Sequence, residues 1–145
     1  MTIDRRHLGY TFPSFQVRIT GERLRRFVEA IGETKASFAG EVAPPTFLKC
    51  IEGEHNSSRA ILEALNVDLK HVLHAEQEFE YFAPIRAGDC VTVDRRVSDI
   101  YEKRGGALEF IVIESVFRNE AGSTVARSRQ VALVRNPVTK GGNIQ

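Results

Sequence analysis

Histidine supplies the side chains best suited to acid–base chemistry in this sequence, which contains four of them: His7, His55, His71 and His74. The unperturbed pKa of histidine lies near neutrality, so its ring can accept and donate a proton at physiological pH. His55 directly follows Glu54 within a polar stretch, and His74 opens a strand-like segment. Two structural alternatives stay open, because Glu54 and His55 could be solvated at a helix break, and His74 could make a hydrogen bond at a strand end.

No other chemical motif is found in the sequence. The spacing of Cys, His and acidic residues matches no metal site, and neither a nucleophile elbow nor a glycine-rich nucleotide loop is present. The two cysteines, Cys50 and Cys90, lie among apolar residues and are predicted to be buried free thiols, as expected in a reducing compartment. We therefore expect no bound cofactor and no metal.

Charge and hydropathy argue against two functional classes. The chain carries 20 basic and 19 acidic residues, and its net charge of +1 is not that of a dedicated nucleic-acid binder. No apolar run approaches the length of a membrane span, and residues 1–10 are charged without the apolar core of a signal peptide. The sequence therefore predicts a cytoplasmic protein that binds neither nucleic acid nor membrane.

The residues that could do chemistry depend on a helix predicted over Pro45–Leu65. Pro45 suits a first helical position, where a missing N–H costs nothing. The middle of the segment is polar, and Gly53 and the run 56–58 have weak helix propensity. Either the helix breaks near Gly53 or its polar middle lines a site. The apolar residues that follow helical spacing on its inner face are Phe47, Cys50, Ile51, Ile61, Leu62 and Leu65.

Most of the remaining chain is predicted to form an antiparallel sheet. A half-buried strand covers Tyr10–Ile19, and a short helix follows Thr20, a suitable N-cap. From His74 onward, apolar residues recur with a period of two in four strands that should form a meander. The predicted fold is one α+β domain over residues 1–145, with the sheet around a long central helix and a loose tail over 136–145. Such a sheet leaves one flank exposed, so a dimer is expected.

Several stretches of the sequence resemble one protein family. They are FVEAIGET at 27–34, APPTF at 43–47, HAEQEFEYFAPIRAGDCVTV at 74–93, DIYEKRGG at 99–106 and ARSRQVALVR at 126–135. Phe82, Pro84, Gly88 and Asp89 are spaced as in hot-dog hydratases more widely. The sequence thus resembles the MaoC-like hot-dog dehydratases, and more closely their N-terminal, FAS1-like dehydratase domain. The resemblance implies a hot-dog fold and acyl-thioester ligands, carried on coenzyme A or acyl carrier protein, whose 2,3-bond is hydrated or dehydrated.

The sequence departs from this family at the catalytic positions that the resemblance implies. Active members carry a loop resembling GDxNPxH, whose Asp and His position and activate water. Here Gly32 fits, but Glu33 stands in place of the Asp and Phe38 in place of the His, and phenylalanine cannot exchange a proton. The glycine whose N–H binds the thioester oxygen is replaced by Pro45, which has no N–H. We therefore expect the chain to lack its own Asp/His pair.

The resemblance predicts the acyl-thioester-binding subunit of a hydratase or dehydratase. It would pair as a homodimer, or as a heterodimer with a catalytic MaoC-like subunit that supplies Asp and His. Arg104 could contact a coenzyme A phosphate, although a hairpin turn explains this residue equally well. The predicted substrate-binding residues are Thr46, Phe47, Phe82 and Arg104.

An enzymatic alternative stays open, in which the chain is a self-contained thioesterase or an atypical hydratase. Glu54 is a candidate because some hot-dog thioesterases use a carboxylate of the central helix. A third possibility is a regulatory protein that binds acyl-CoA without turnover. The candidate catalytic residues of the enzymatic alternative are Glu33, Glu54, His55 and His74.

Overall fold

The computed structural model describes residues 3–33 and 41–137, which form one five-stranded sheet with helices packed on one face. The helices are α1 (Gly21–Ala30), α2 (Leu48–Glu52) and α3 (Ser57–Ala64). The strands are β1 (Thr11–Arg18), β2 (Val72–Tyr81), β3 (Cys90–Lys103), β4 (Leu108–Arg118) and β5 (Thr124–Arg135). Within the described ranges, no helix is long and apolar enough to cross a membrane. The predicted α+β class is confirmed.

The strand order is β1-β3-β4-β5-β2, and all neighbours are antiparallel. The strongly apolar strand β4 lies at the centre of the sheet and β1 lies at an edge. The predicted four-strand meander is wrong for β2, which lies beside β5 at the other edge. The cause is the connection over 82–89, which contains Pro84 and Gly88 and is too long for a tight hairpin. It carries the chain across the sheet from β2 to β3.

Single residues explain two local features near the N-terminus, the start of α1 and the irregularity of the edge strand β1. Thr20 caps α1, since its Oγ1 accepts the Arg23 N–H at 3.2 Å. The edge strand β1 is irregular, because its register against β3 shifts between Phe12 and Phe15 on either side of Pro13. Proline lacks the N–H that a sheet ladder needs, so it is tolerated at an edge or a bulge.

Asn136 is held in place by the sheet, at the start of the predicted loose tail. Its Nδ2 donates to the Gly106 carbonyl at 2.7 Å and to Oε1 of the buried Glu109 at 2.8 Å. Glu109 also accepts the Ile3 N–H at 3.1 Å, which closes this end of the sheet with the N-terminal segment. The rest of that tail, residues 138–145, lies outside the described part of the chain.

The hydrophobic core is divided into two clusters. One cluster packs α1 and α2 against the inner face of the sheet, around Leu24, Leu48, Ile51 and Phe117. The other packs α3 against the far half of the strands. Its main members are Ile61, Leu62, Leu65, Val97, Ile111 and Ile113. Between the clusters lies a buried polar layer, whose members include Glu52, Ser57, Arg95, Ser115, Ser128 and Gln130.

The predicted central helix is broken between α2 and α3, which confirms one of the two alternatives. His55 and Asn56 have φ values of 59° and 51°, in the left-handed region that an α-helix does not use. Asparagine tolerates this region better than most residues, which agrees with the weak helix propensity of this run. The polar residues at the break are not all solvated, however, because Ser57 is fully buried. The long helix is therefore two shorter ones.

Arg95 of β3 lies at the centre of the polar layer and is 1% exposed. On the sheet side, its Nε donates to Ser115 Oγ at 2.8 Å and its Nη2 donates to Gln130 Oε1 at 2.9 Å. These acceptors belong to β4 and β5. The guanidinium therefore ties three adjacent strands together on the inner face.

The same guanidinium also binds both sides of the helix break. Its Nη1 donates to Ser57 Oγ at 2.7 Å, to Ser58 Oγ at 2.8 Å and to the Glu52 carbonyl at 3.2 Å. The Glu52 carboxylate lies 3.8 Å from Nη2 and is wholly buried. Burial lowers the pKa of Arg95, and the carboxylate of Glu52 opposes this shift. Arginine stays charged at neutral pH in such settings, so the layer contains a buried ion pair.

The change Arg95→Met should destabilise the protein strongly. Removing one partner of a buried pair leaves an uncompensated charge and unsatisfied acceptors, which costs about 3–5 kcal/mol of unfolding free energy. The matched control is Arg96→Met, because Arg96 is exposed and pairs with Glu114 at the surface. That change should cost less than about 1 kcal/mol. Urea unfolding followed by circular dichroism measures both values, and equal losses would contradict the role of Arg95.

Candidate functional site

The start of the helical segment is occupied by a side chain of the protein itself. Tyr81, the last residue of β2, donates its hydroxyl to the Pro45 carbonyl at 2.9 Å. Burial raises the pKa of the Tyr81 phenol, and the nearby Leu48 N–H has a smaller, opposing effect. The phenol is therefore protonated at physiological pH and remains a donor.

Few backbone N–H groups at the helix start remain available to a thioester oxygen. Pro45 has no N–H, the Phe47 N–H donates to the Pro44 carbonyl at 2.9 Å, and the Leu48 N–H is directed at the Thr46 carbonyl. Among residues 45–48, only Thr46 has an N–H without a described acceptor. Losing one such donor can cost about 2.7–4 kcal/mol of transition-state stabilisation. The helix start is therefore poorly equipped to stabilise an oxyanion.

The predicted substrate-binding residues differ in accessibility. Phe47 is 1% exposed and packs edge-to-face on Phe27, with ring centroids 5.2 Å apart, so it belongs to the core rather than to an open surface. Thr46 is exposed at the helix start. Phe82 is 54% exposed, and the Arg127 guanidinium lies 5.8 Å from its ring centroid. Of the three, only Thr46 and Phe82 present surface to a ligand.

Arg104 lies far from that surface. It occupies the hairpin between β3 and β4 with φ of 55°, so the turn alternative describes its local structure. Tyr81 of β2 lies level with Val93 of β3, because paired residues connect them strand by strand through β5 and β4. From the level of Val93 to the end of β3 is about 33 Å along the strand. One ligand of ordinary size would not contact both Arg104 and Phe82 within a single chain.

Glu54 and His55 have protein partners in the helix break. Glu54 forms an ion pair with Arg23 of α1, with 2.9 Å between Oε2 and Nη2. The His55 ring packs edge-to-face on Phe15 of β1, with centroids 5.0 Å apart. These contacts fasten the break to α1 and to the β1 edge. A role as nucleophile or base would require Glu54 to leave Arg23.

His74 lies at the opposite edge of the sheet from His55. Its Nε2 is 3.0 Å from Gln77 Oε1, and the residue is exposed beside a register shift in β2. This contact fits the structural alternative for His74, which was a hydrogen bond at a strand end. The β1 and β2 edges are separated by four strand spacings, roughly 19 Å. The two histidines therefore cannot share one substrate within a chain.

The family's catalytic loop is only partly described. Glu33 is half-buried just after α1, where its N–H donates to the Val28 carbonyl at 3.1 Å. Phe38, predicted to replace the catalytic histidine, belongs to residues 34–40 and lies outside the described residues. The absence of histidine from that position is nevertheless a fact of the sequence.

Sequence reasoning missed Lys49 as a candidate binding residue. Its Nζ donates to Gln130 Oε1 at 3.1 Å and to Glu52 Oε2 at 3.3 Å, and its side chain is 40% exposed. Gln130 pairs with Gln77 of the edge strand β2. Lys49 therefore reaches from α2 over the inner face of the sheet and joins the buried Arg95 layer to an accessible surface.

A signal for this layer was present in the sequence. Arg95 interrupts the apolar alternation of Val91, Val93 and Val97 in β3, and Gln130 stands at an inward position of β5. Inward positions that are polar in several adjacent strands indicate a shared buried network. The inward-facing polar residues of β3, β4 and β5 that meet the broken helix are Arg95, Ser115, Ser128 and Gln130.

The outer face of the sheet is polar and internally paired. Glu76 and Glu78 of β2 lie 3.5 and 3.2 Å from Nη1 of Arg129 on the neighbouring strand β5. Arg96 and Glu114 form a further cross-strand pair. A trough of about 900 Å³ crosses the sheet between these side chains. Cross-strand pairs of opposite charge stabilise a sheet surface, which accounts for this face without a ligand.

Neither cysteine forms a disulfide. Both Cys50 and Cys90 are free and half-buried rather than fully buried. Burial raises the pKa of the Cys50 thiol, so this group favours the unreactive, protonated form. Among the described residues, no cluster of three or more metal-ligating His, Cys, Asp or Glu side chains is found.

Residues 6–128 match the family model described as the FAS1-like, dehydratase domain region. This match covers well over half of the chain, which therefore belongs to the FAS1-like dehydratase domain family. A curated relative from Thermobifida fusca, called a UPF0336 protein, is 29% identical over 97% of this chain and 99% of its own length. That name states no activity, so the relative supports kinship alone.

Two solved structures show the same fold. One is the C-terminally truncated HadBC (3R)-hydroxyacyl-ACP dehydratase complex of Mycobacterium tuberculosis, with a TM-score of 0.76 at 18% identity, covering 92% of this chain and 99% of that one. The other is a MaoC-like dehydratase from Phytophthora capsici, with a TM-score of 0.77 at 19% identity, covering 94% of this chain and 50% of that one. The predicted MaoC-like hot-dog fold is confirmed.

The change Tyr81→Phe should have a small effect at neutral pH and a larger one in alkali. At neutral pH it removes one hydrogen bond, at a cost of about 0.5–1.5 kcal/mol of unfolding free energy. The folded-state pKa of Tyr81 is raised above its ordinary value of 10.0. Its contribution is therefore present below pH 10 and is lost as the pH rises towards the folded-state pKa.

We accordingly expect the stability of the natural protein to fall above pH 10, and that of the Tyr81→Phe protein to fall less. Urea unfolding at a series of pH values measures both. The control is Tyr101→Phe, because the Tyr101 ring is stacked on Phe110 at the outer face. If the loss of stability above pH 10 is unchanged in Tyr81→Phe and smaller in Tyr101→Phe, the titrating group is Tyr101, and the prediction for Tyr81 is wrong.

Proposed function

We propose that this chain is the acyl-thioester-binding subunit of a MaoC-like hydratase or dehydratase and does not perform the chemistry by itself. One observation carries the proposal, namely that the helix start offers few free N–H groups to a thioester oxyanion, because Pro45 has none and the Phe47 N–H already donates to the Pro44 carbonyl. The sequence adds that the histidine of the family loop is replaced by Phe38. Both departures remove transition-state stabilisation while leaving the hot-dog surface available for binding.

The proposed ligand surface lies between the helix start and the end of β2. Thr46 and Phe82 are exposed there, while Phe79 and Tyr81 are half-buried and provide an apolar wall. A thioester at the helix start would direct its acyl group along this wall, between the helix and β2. Coenzyme A or an acyl carrier protein would remain outside as the carrier.

The proposed partner binds at the β2 edge. β2 has ten residues, and in the described part of the chain it pairs only with β5, so its other side presents free backbone donors and acceptors. Leu73 and Phe82 are 51% and 54% exposed at its two ends. The similar HadBC structure is a complex of dehydratase subunits. The partner would be a second copy or a MaoC-like subunit that supplies the catalytic Asp and His.

The purified chain should bind acyl-CoA without converting it. Crotonyl-CoA and butyryl-CoA are incubated separately with a high concentration of protein, and the products are read by mass spectrometry. We expect both to remain unchanged, while equilibrium dialysis detects saturable binding of butyryl-CoA. Addition of water to crotonyl-CoA, or release of free coenzyme A, would establish the enzymatic alternative. Substitution of Glu33, Glu54, His55 and His74 would then identify the residue responsible.

The change Leu73→Glu should weaken self-association. It places a charge on the edge that a second copy would cover, opposite the apolar Phe82 end of the other β2, and burying a charge without a partner is costly. Sedimentation equilibrium of the natural chain should show dimers that Leu73→Glu converts to monomers. The control is Leu8→Glu, because Leu8 is 44% exposed but precedes β1 at the other edge. A dimer that survives Leu73→Glu but not Leu8→Glu would place the interface elsewhere.

A further inference from the structure

The polar layer contains more positive than negative charge. Arg95 and Lys49 are cationic, and both approach the single carboxylate of Glu52, at 3.8 and 3.3 Å. The layer's remaining polar side chains are serines and Gln130, which are neutral. The three charged groups therefore sum to one excess positive charge. Excess charge in a poorly hydrated place is a site at which an anion binds more strongly than it would at an open surface.

Only one of the two cations is accessible. Arg95 is fully buried and its donors are directed at protein acceptors. Lys49 is 40% exposed, and its ammonium group has three N–H donors, of which Glu52 and Gln130 take two. These two acceptors also fix the position of Nζ, so less conformational entropy is lost when a third acceptor binds. Lys49 is thus an ordered donor backed by a buried charge.

Lys49 lies at the end of the proposed acyl surface. It follows Pro45 by one turn of helix, about 6 Å along the axis. On the strand side, Gln77 lies about 13 Å along β2 from Tyr81 and about 7 Å from Phe79. The wall therefore changes from apolar, at Phe79, to polar, at Gln77 and Lys49, within about 6–7 Å, which is close to the length of a short acyl chain. A chain of four or five carbons spans about 5–6 Å.

We propose that the preferred ligand is a short acyl thioester with a second carboxylate at its far end, bound by Lys49. This inference rests on the proposed function, because it assumes that the thioester lies at the helix start. A long, plain fatty-acyl chain fits poorly, since it would press methylene groups against Lys49, Gln77 and the charged layer behind them. The terminal carboxylate instead provides a charged acceptor for the third N–H of Nζ, which Glu52 and Gln130 leave available.

Calorimetric titration with three coenzyme A thioesters tests the proposal on the natural chain. Glutaryl-CoA and valeryl-CoA both have five acyl carbons and differ in the terminal carboxylate, and decanoyl-CoA is long and apolar. We expect glutaryl-CoA to bind about tenfold more tightly than valeryl-CoA, the value of one charge-assisted hydrogen bond. Equal binding of the two, or tighter binding of decanoyl-CoA, overturns the inference and leaves the proposed function intact. If none of the three binds, the proposed function itself fails.

Variants of Lys49 assign the preference to this residue. In Lys49→Met, the ratio of the two affinities should fall to about one, whereas Lys49→Arg should keep a preference for glutaryl-CoA. The control is Lys70→Met, because Lys70 is exposed before β2 and lies outside the layer. It should leave the ratio unchanged. A tenfold preference that persists in a folded Lys49→Met protein contradicts the role of Lys49, and circular dichroism verifies folding.

Discussion

The buried guanidinium of Arg95 is the interaction on which the arrangement of sheet and helices depends. It joins the inner faces of three strands to the last carbonyl of α2 and the first residues of α3. A left-handed break would otherwise leave helix-terminal groups unsatisfied in the core. Because one planar group binds the last carbonyl of α2 and the hydroxyls of the first two residues of α3, the chain can change direction between two apolar clusters. A cation there costs desolvation, which Glu52 and the hydroxyl acceptors offset.

The helix start is held by a simpler interaction, the hydrogen bond from the Tyr81 hydroxyl to the Pro45 carbonyl. Burial keeps the phenol protonated, so this bond persists at physiological pH. Because Pro45 has no N–H and the Phe47 N–H is bonded to Pro44, the segment favours a stable fold over transient stabilisation of a developing charge. Binding and chemistry are thereby separable properties of one hot-dog surface. Catalytic groups can then be supplied by a second polypeptide.

Much of this fold could be predicted from the sequence, because its signals are local. Strand periodicity located β1 and β3–β5, and weak helix propensity at 56–58 indicated the break. The place of β2 could not be predicted, since two-residue periodicity does not tell which strands pair. The resemblance predicts Phe47 as a binding residue, but a family pattern does not reveal that this ring packs into the core. The role of Arg95 could not be predicted, because its acceptors come from four separate elements and meet only in the folded chain.

The two edges of the sheet are unequal, and this inequality sets how far subunits can add to one another. The β1 edge is interrupted at Pro13, where register shifts and a backbone donor is missing. The β2 edge is ten residues long, with exposed Leu73 near its start and exposed Phe82 just beyond its end. The β2 edge is thus the more regular of the two for strand addition. A second copy that paired there through a two-fold axis would use up both β2 edges, so such an assembly would close at two subunits instead of propagating into a filament.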